Sequence, residues 1–380
     1  MKKEKEFDVM DYFSTYTSNT IAGSGNQRFF TTETPRTGRV FYKIACGGTY
    51  SYSLLFSNII DSTFSDGSWG HKNLICSQWN IHGAKIGKLH RDGIPKEITD
   101  STVATEINEN MTDLIPLTFD GKPSKKVAPG EFFTTDSMDM TFDAGDYLCI
   151  EMTVSGTMIP YHRESLLPAY IQTETGWKYE RGTPFPGMIG CNRPVRARIG
   201  YIGDSITQGC GTEPNTYTHW NAILSEKLGN DYAHWNLGLG YGRADDLASD
   251  GAWLYKAKHN DIIVLCAGVN DILQGFTAEQ IMKNLTSIVD TLNKAGIKVL
   301  LQTVPPFNYV GENIEKWNTV NHYIHTVLRE KVDLVFDTVP VLGNPDTPHK
   351  AMYSGHPNAE GCRLWAEALY EAIQKAELLK

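Results

Sequence analysis

Between about residues 37 and 175 the apolar positions come in short runs rich in Val, Ile, Tyr, Phe and Thr, broken by Gly, Asp, Asn and Pro. Gly38 to Ala45, Tyr50 to Ser57, Asp139 to Phe142 and Asp146 to Val154 are such runs, the last introduced by the turn Asp143 to Asp146. Helical periodicity is scarce here. Strand-length runs at this spacing, separated by turn-forming residues, predict an antiparallel β-sandwich.

From Arg196 onward the rhythm changes. Arg196 to Ile202, Asn230 to Asn236, Asp261 to Ala267, Lys298 to Thr303 and Asp333 to Asp337 read as strands, and amphipathic stretches such as Thr277 to Ala295 lie between them. Strands alternating with helices predict a doubly wound, mostly parallel, flavodoxin-like sheet covered by helices on both faces. The Gly/Pro-rich stretch Arg181 to Gly190, followed by Arg193-Pro194, separates the two patterns. This places a jelly-roll-like sandwich domain at residues 1–190 and an α/β domain at 191–380.

Composition narrows the partners. The chain has 380 residues, 41% of them hydrophobic and 21% charged, with a net charge of −9, which fits a globular protein and excludes disordered or fibrous classes. Its longest apolar runs, Asp261 to Ala267 and Ile297 to Leu301, have strand length and are too short to span a bilayer, so no membrane role is expected. Met1 to Met10 carries charges without an apolar signal region, and the seven cysteines are odd in number and scattered; both features predict reduced thiols and a cytoplasmic location. No basic cluster exceeds Lys125-Lys126, so nucleic acid is not an expected partner. Self-association as a homo-oligomer is left open.

Four segments carry candidate chemistry. Gly203-Asp-Ser-Ile-Thr-Gln-Gly209 puts Ser205 after a buried strand and before a helix, where doubly wound sheets present ligands and where a Ser can be either a helix cap or a nucleophile. Asn236-Leu-Gly-Leu-Gly-Tyr-Gly242 ends the second strand, Gly268-Val-Asn-Asp271 ends the third, and His356-Pro-Asn-Ala-Glu-Gly361 opens the last helix. Read singly, Asn270 is as much a turn residue as a donor, and His356 resembles a cap before Pro357 at the first helical position.

In order and spacing, these blocks resemble those of the SGNH (GDSL) hydrolases over about residues 196 to 380. The resemblance implies Ser205 as nucleophile and, through its backbone N–H, as an oxyanion donor, Asn270 as a side-chain oxyanion donor and His356 as general base. The family's glycine donor falls five residues after the block's Asn, a position held here by Tyr241 between Gly240 and Gly242. Gly240 is the expected donor because a tight turn there favours glycine. The family's Asp three residues before His is replaced by Tyr353, so a backbone carbonyl is expected to orient His356, with Asp346 the nearest upstream acid that could serve instead. Asp204 is expected to hold the turn by hydrogen bonds.

No cofactor or metal is expected. His322 and His325 form an i, i+3 pair without a carboxylate companion, no cysteines have zinc spacing, and the glycines around Gly238 lack the dinucleotide pattern. Tyr217, Trp220, Tyr241 and Tyr353 could face a sugar ring or pack a core, with Tyr241 and Tyr353 the candidates for substrate contact. The expected activity is that of a serine esterase removing small acyl groups, O-acetyl first, from carbohydrates or oligosaccharides, as in two-domain carbohydrate esterases of the family. The alternatives are a generic carboxylesterase or lysophospholipase, or a catalytically impaired sugar-binding protein.

Overall fold

Arg28–Lys43 and Tyr147–Tyr161, the two longest strands, pair antiparallel from Tyr147 opposite Lys43 to Tyr161 opposite Arg28. Pro35, which has no N–H for a ladder, falls where the pairing breaks register between Arg36 and Thr32. The computed structural model describes residues 9–23, 25–63, 71–95, 98, 107–108, 111, 114–344, 352–353 and 355–379. Both strands outrun the expected windows Gly38 to Ala45 and Asp146 to Val154. The extra residues of Arg28–Lys43 are largely polar and half-exposed or exposed, and cross-strand pairing keeps them extended where hydrophobic patterning gives no signal.

These strands centre one sheet, ordered Gly176–Tyr179, Ala169–Thr173, Arg28–Lys43, Tyr147–Tyr161, Trp79–Leu89, Ile115–Leu117, with Lys125–Val127 also on Trp79–Leu89. A second sheet runs Thr17–Ser18, Met188–Cys191, Gly48–Ser57, Met138–Phe142, with Phe132–Thr134 also on Gly48–Ser57. Tyr42, Tyr52, Leu54, Trp79, Ile150 and Ile189 fill the core of the sandwich. Each such side chain removed from water stabilises the fold by about 1.5–3 kcal/mol. Met188–Cys191 lies partly in the Gly/Pro-rich stretch and belongs to a sandwich sheet, and the next strand opens at Ala197.

The second sheet system is parallel. Its strands are β1 Ala197–Gly203, β2 Tyr232–Gly238, β3 Ile262–Cys266, β4 Lys298–Gln302 and β5 Leu334–Phe336, in the order β2-β1-β3-β4-β5. All seven residues of β2 and all five of β3 are buried; β3 reads as an unbroken apolar run, while β2 also buries His234 and Asn236. Helix Ala278–Lys294 starts at Thr277, whose hydroxyl accepts from the Gln280 N–H while the Gln280 side chain returns to the Thr277 N–H. Helices Trp220–Leu228 and Ala359–Lys375 pack together, their Trp220 and Trp365 rings stacked 5.1 Å apart.

A hairpin of Ile59–Thr63 and His71–Ile75 reaches from the sandwich region to helices Ala244–Ala248 and Ala252–Ala257. Lys256 Nζ lies 2.6 Å from Asp61 Oδ2, a buried ion pair. Ser62 Oγ donates to Asp246 Oδ2 (2.5 Å) and Lys72 pairs with Asp245 (2.5 Å). The sandwich is therefore tied to the segment that follows β2.

Candidate active site

The topological switch of a 2-1-3-4-5 sheet opens a crevice at the carboxyl ends of its central strands, and all four candidate segments converge there. After β1, Asp204 takes the cap of helix Ser205–Gln208: its Oδ1 accepts the Ile206 N–H at 3.0 Å. Capping thus falls to Asp204, whose bond to the Ile206 N–H holds the turn, and Ser205 becomes the first helical residue with its hydroxyl unspent on the cap. Burial pushes the Asp204 carboxyl up to about 7, against the Ile206 N–H and with some help from Asp271.

Ser205 Oγ lies 2.9 Å from His356 Nε2. His356 sits on a two-stranded hairpin in which Tyr353 pairs with His356 and Met352 with Pro357. Gly355 turns it at φ +83°, where a side chain would collide with the Phe307 ring. Phe307 also meets the His356 ring edge to face, centroids 5.2 Å apart. The cap that His356 could be when read singly belongs to Asn358, whose Oδ1 accepts the Gly361 N–H. Asp346 lies outside the described residues, as does the Tyr353 side chain.

After β3, Gly268 at φ +124° leads into helix Val269–Leu273. Asn270 is buried there, and its Nδ2 donates to the Gly242 carbonyl at 3.0 Å; a carboxamide has a second N–H beyond this bond. The neighbouring Asp271 accepts the N–H groups of Ala244 (2.8 Å) and Asp245 (3.1 Å), so the segments after β3 and β2 are stitched together at Asn270 and again at Asp271. Burial raises the Asp271 carboxyl to about 7 as well. Arg243 completes the frame through two bonds to the Asp246 carboxylate and one to Gln274.

The loop after β2 departs from expectation. The Gly240 N–H, expected in the oxyanion hole, donates to Gln208 Oε1 at 2.5 Å and is already engaged. A side chain at Gly240 would collide with the Glu164 carboxylate, so close approach of the sandwich is what requires glycine there. Tyr241, in the family's glycine register, has φ +63°, a left-handed backbone that an aromatic residue adopts only when its surroundings impose it.

Of the other aromatics, Trp220 is wholly buried and Tyr217 Oη accepts the Lys43 N–H under a Lys43 ammonium 5.1 Å from its ring, so both pack structure. Gln27, Glu164 and Phe307 escaped the sequence reading. Gln27 lies 213 residues from Gly240, with no local pattern to connect them. Gln208 falls inside a recognised block but carries no mark of its own.

A parallel 2-1-3-4-5 sheet with a Ser–His pair at the end of its first strand is the frame of an α/β hydrolytic domain. Residues 201–364 match the GDSL-like Lipase/Acylhydrolase family, and this part of the chain is a GDSL-like lipase/acylhydrolase domain. Among solved structures, the chain is similar to a putative lipolytic protein of the G-D-S-L family from Desulfitobacterium hafniense DCB-2, with 22% identity and a TM-score of 0.40 over 46% of this chain and 98% of that one. TesA is similar at 27% identity and TM-score 0.40, covering 47% and 99%. The acetyl xylan esterase AlAXEase is similar at 24% identity and TM-score 0.37, covering 46% and 99%. No curated protein matches the chain. Among the described residues, no helix is long and apolar enough to cross a membrane.

Proposed function

We propose that the protein is a serine esterase that hydrolyses small acyl esters, O-acetyl groups on carbohydrates foremost. The observation that carries the reading is the 2.9 Å approach of Ser205 Oγ to His356 Nε2 at the crevice of the parallel sheet. His356 Nε2 takes the hydroxyl proton as Ser205 Oγ attacks the ester carbonyl, then returns it to the departing alcohol; water repeats the sequence on the acyl-enzyme. The developing oxyanion is met by the Ser205 N–H, the Asn270 side chain and a backbone N–H of the loop after β2, assigned here to Tyr241 because the Gly240 N–H serves Gln208. A main-chain carbonyl orients His356, since Tyr353 stands where the family's acid would be.

Support for a hydroxylated substrate comes from the half-exposed Tyr241 beside the partly exposed Glu164 carboxylate at this loop. Exposed Leu273 and Val310 favour longer acyl chains as the second reading. Acetate release from acetylated mono- and oligosaccharides, alongside p-nitrophenyl esters of increasing chain length, separates the two. Ser205→Ala is expected to lower kcat by at least about 10³-fold with folding intact, and normal turnover by that variant ends the proposal. In the same assays Asp346→Asn is expected to cost less than about tenfold; a loss near 10⁴-fold would make Asp346 the third triad member.

A further inference from the structure

A closed ring of hydrogen bonds joins the sandwich region to the loop after β2. The Gly240 N–H donates to Gln208 Oε1 (2.5 Å), and Gln208 Nε2 donates to the Glu164 carbonyl (2.7 Å). The Glu164 N–H donates to Gln27 Oε1 (2.9 Å), and Gln27 Nε2 returns to the Gly240 carbonyl (3.2 Å) and to Glu164 Oε2 (2.9 Å). Gln27 and Gln208 are both buried. Two carboxamides thus hold the two sides of one glycine, each anchored on the backbone of Glu164. Gln27 is itself fixed, its N–H donating to the Tyr161 carbonyl at the end of a sandwich strand.

The geometry points to Gln27 as a positioning residue for ester hydrolysis: by binding the Gly240 carbonyl it sets the plane of the Gly240–Tyr241 peptide and so aims the Tyr241 N–H at the oxyanion. The described peptide bonds are all trans, and in a planar trans peptide the carbonyl and the following N–H point in opposite directions. With the Gly240 carbonyl turned toward Gln27, the Tyr241 N–H is turned away from the sandwich. One residue further on, the Gly242 carbonyl receives the Asn270 amide, so the loop is gripped by Gln27 before Tyr241 and by the proposed side-chain donor after it. The left-handed φ of Tyr241 is the backbone state these two grips impose. A preorganised donor needs no reorientation as charge develops, and a donor free to swing loses that advantage. The sandwich thereby enters the chemistry without touching substrate.

This inference rests on the serine-esterase reading, and its test separates the two. Gln27→Ala should lower kcat about 10- to 100-fold while KM stays within about threefold, because the misaimed donor acts on the transition state. Gln27→Glu keeps the shape and the acceptor for the Glu164 N–H but, when ionised, offers no proton to the Gly240 carbonyl. Its kcat relative to wild type should rise as pH is lowered from 8 toward 5 and the new carboxyl becomes a donor. Loss of turnover in Ser205→Ala, with wild-type kcat in a folded Gln27→Ala or a pH-independent ratio in Gln27→Glu, overturns the role of Gln27 and leaves the esterase standing. Retained turnover in Ser205→Ala defeats the esterase reading itself. If Gln27→Ala fails to fold, the pH ratio of Gln27→Glu decides alone.

Discussion

The sandwich and the parallel-sheet domain meet at one loop and contribute differently to it. The parallel sheet delivers Ser205, Asn270 and the loop after β2 from the ends of adjacent strands, so its topology alone brings them together. The sandwich delivers Gln27 and Glu164, 137 residues apart, and reaches the same loop through hydrogen bonds. Buried strands whose ends converge make a crevice by construction, whereas sandwich loops become part of a site only by docking. The proposed nucleophile and side-chain oxyanion donor sit on the first kind of scaffold, and the groups that hold the loop on the second.

The largest expected effect probes the docking. Lys256→Met leaves the Asp61 carboxylate buried and unpaired, and should cost about 3–5 kcal/mol in chemical denaturation, whereas Lys72→Ala at the half-exposed pair with Asp245 should cost under about 1 kcal/mol. Equal losses in the two variants would show that burial does not distinguish the two links. Separate transitions for sandwich and sheet in Lys256→Met would show that this pair makes them unfold together.

Next in size is a change confined to the chemical side. Asn270→Ala should reduce kcat by about 10²- to 10³-fold, near 3–4 kcal/mol, with KM little altered, because the amide meets charge present mainly in the transition state. Steady-state kinetics on p-nitrophenyl acetate would show it. An effect on KM alone would move Asn270 from oxyanion binding to substrate binding.

The smallest effect concerns pH and the sheet's own core. His234, bonded to Tyr201 Oη at 2.9 Å, is held neutral by burial, which lowers its pKa to about 3. Above about pH 6.5 it is neutral folded or unfolded and adds no pH dependence. Below that, the unfolded chain takes up a proton that the native state refuses, so stability is lost as pH falls toward 3, by up to about 1.4 kcal/mol per pH unit. The stability gap between wild type and His234→Gln should therefore narrow from pH 7 to pH 5 in urea titrations. A constant gap would mean that His234 is protonated in the native protein.

The strands of the parallel sheet were legible because burial in the middle of the sheet favours apolar runs, unbroken in β3 and nearly so in β4. β1, β2, β3, β4 and β5 fall within two residues of the expected windows. Chemistry-bearing blocks were legible for a related reason: strand ends in such a sheet are fixed in space once the strands are, which places Ser205 and Asn270, whereas His356 stands on a separate hairpin and was legible only from its block before the last helix. What stayed hidden was which neighbour takes the ordinary structural duty. Sequence allowed Ser205 or His356 to be a helix cap, and the fold gives those caps to Asp204 and Asn358.

The sandwich was legible as a class but less so in extent. Arg28–Lys43 runs well before its apolar core because pairing with Tyr147–Tyr161 holds polar residues extended. For the donor after β2, local turn chemistry favoured Gly240, yet its amide is bonded to Gln208 and its missing side chain makes room for Glu164. Sequence by itself determined the order of the strands along the chain, the class of the domain and the candidate residues Ser205, Asn270 and His356. Only the tertiary structure decided which backbone amide each buried carboxamide would hold, because that depends on contacts between Gln27, Glu164 and Gly240, which local periodicity along the chain does not encode.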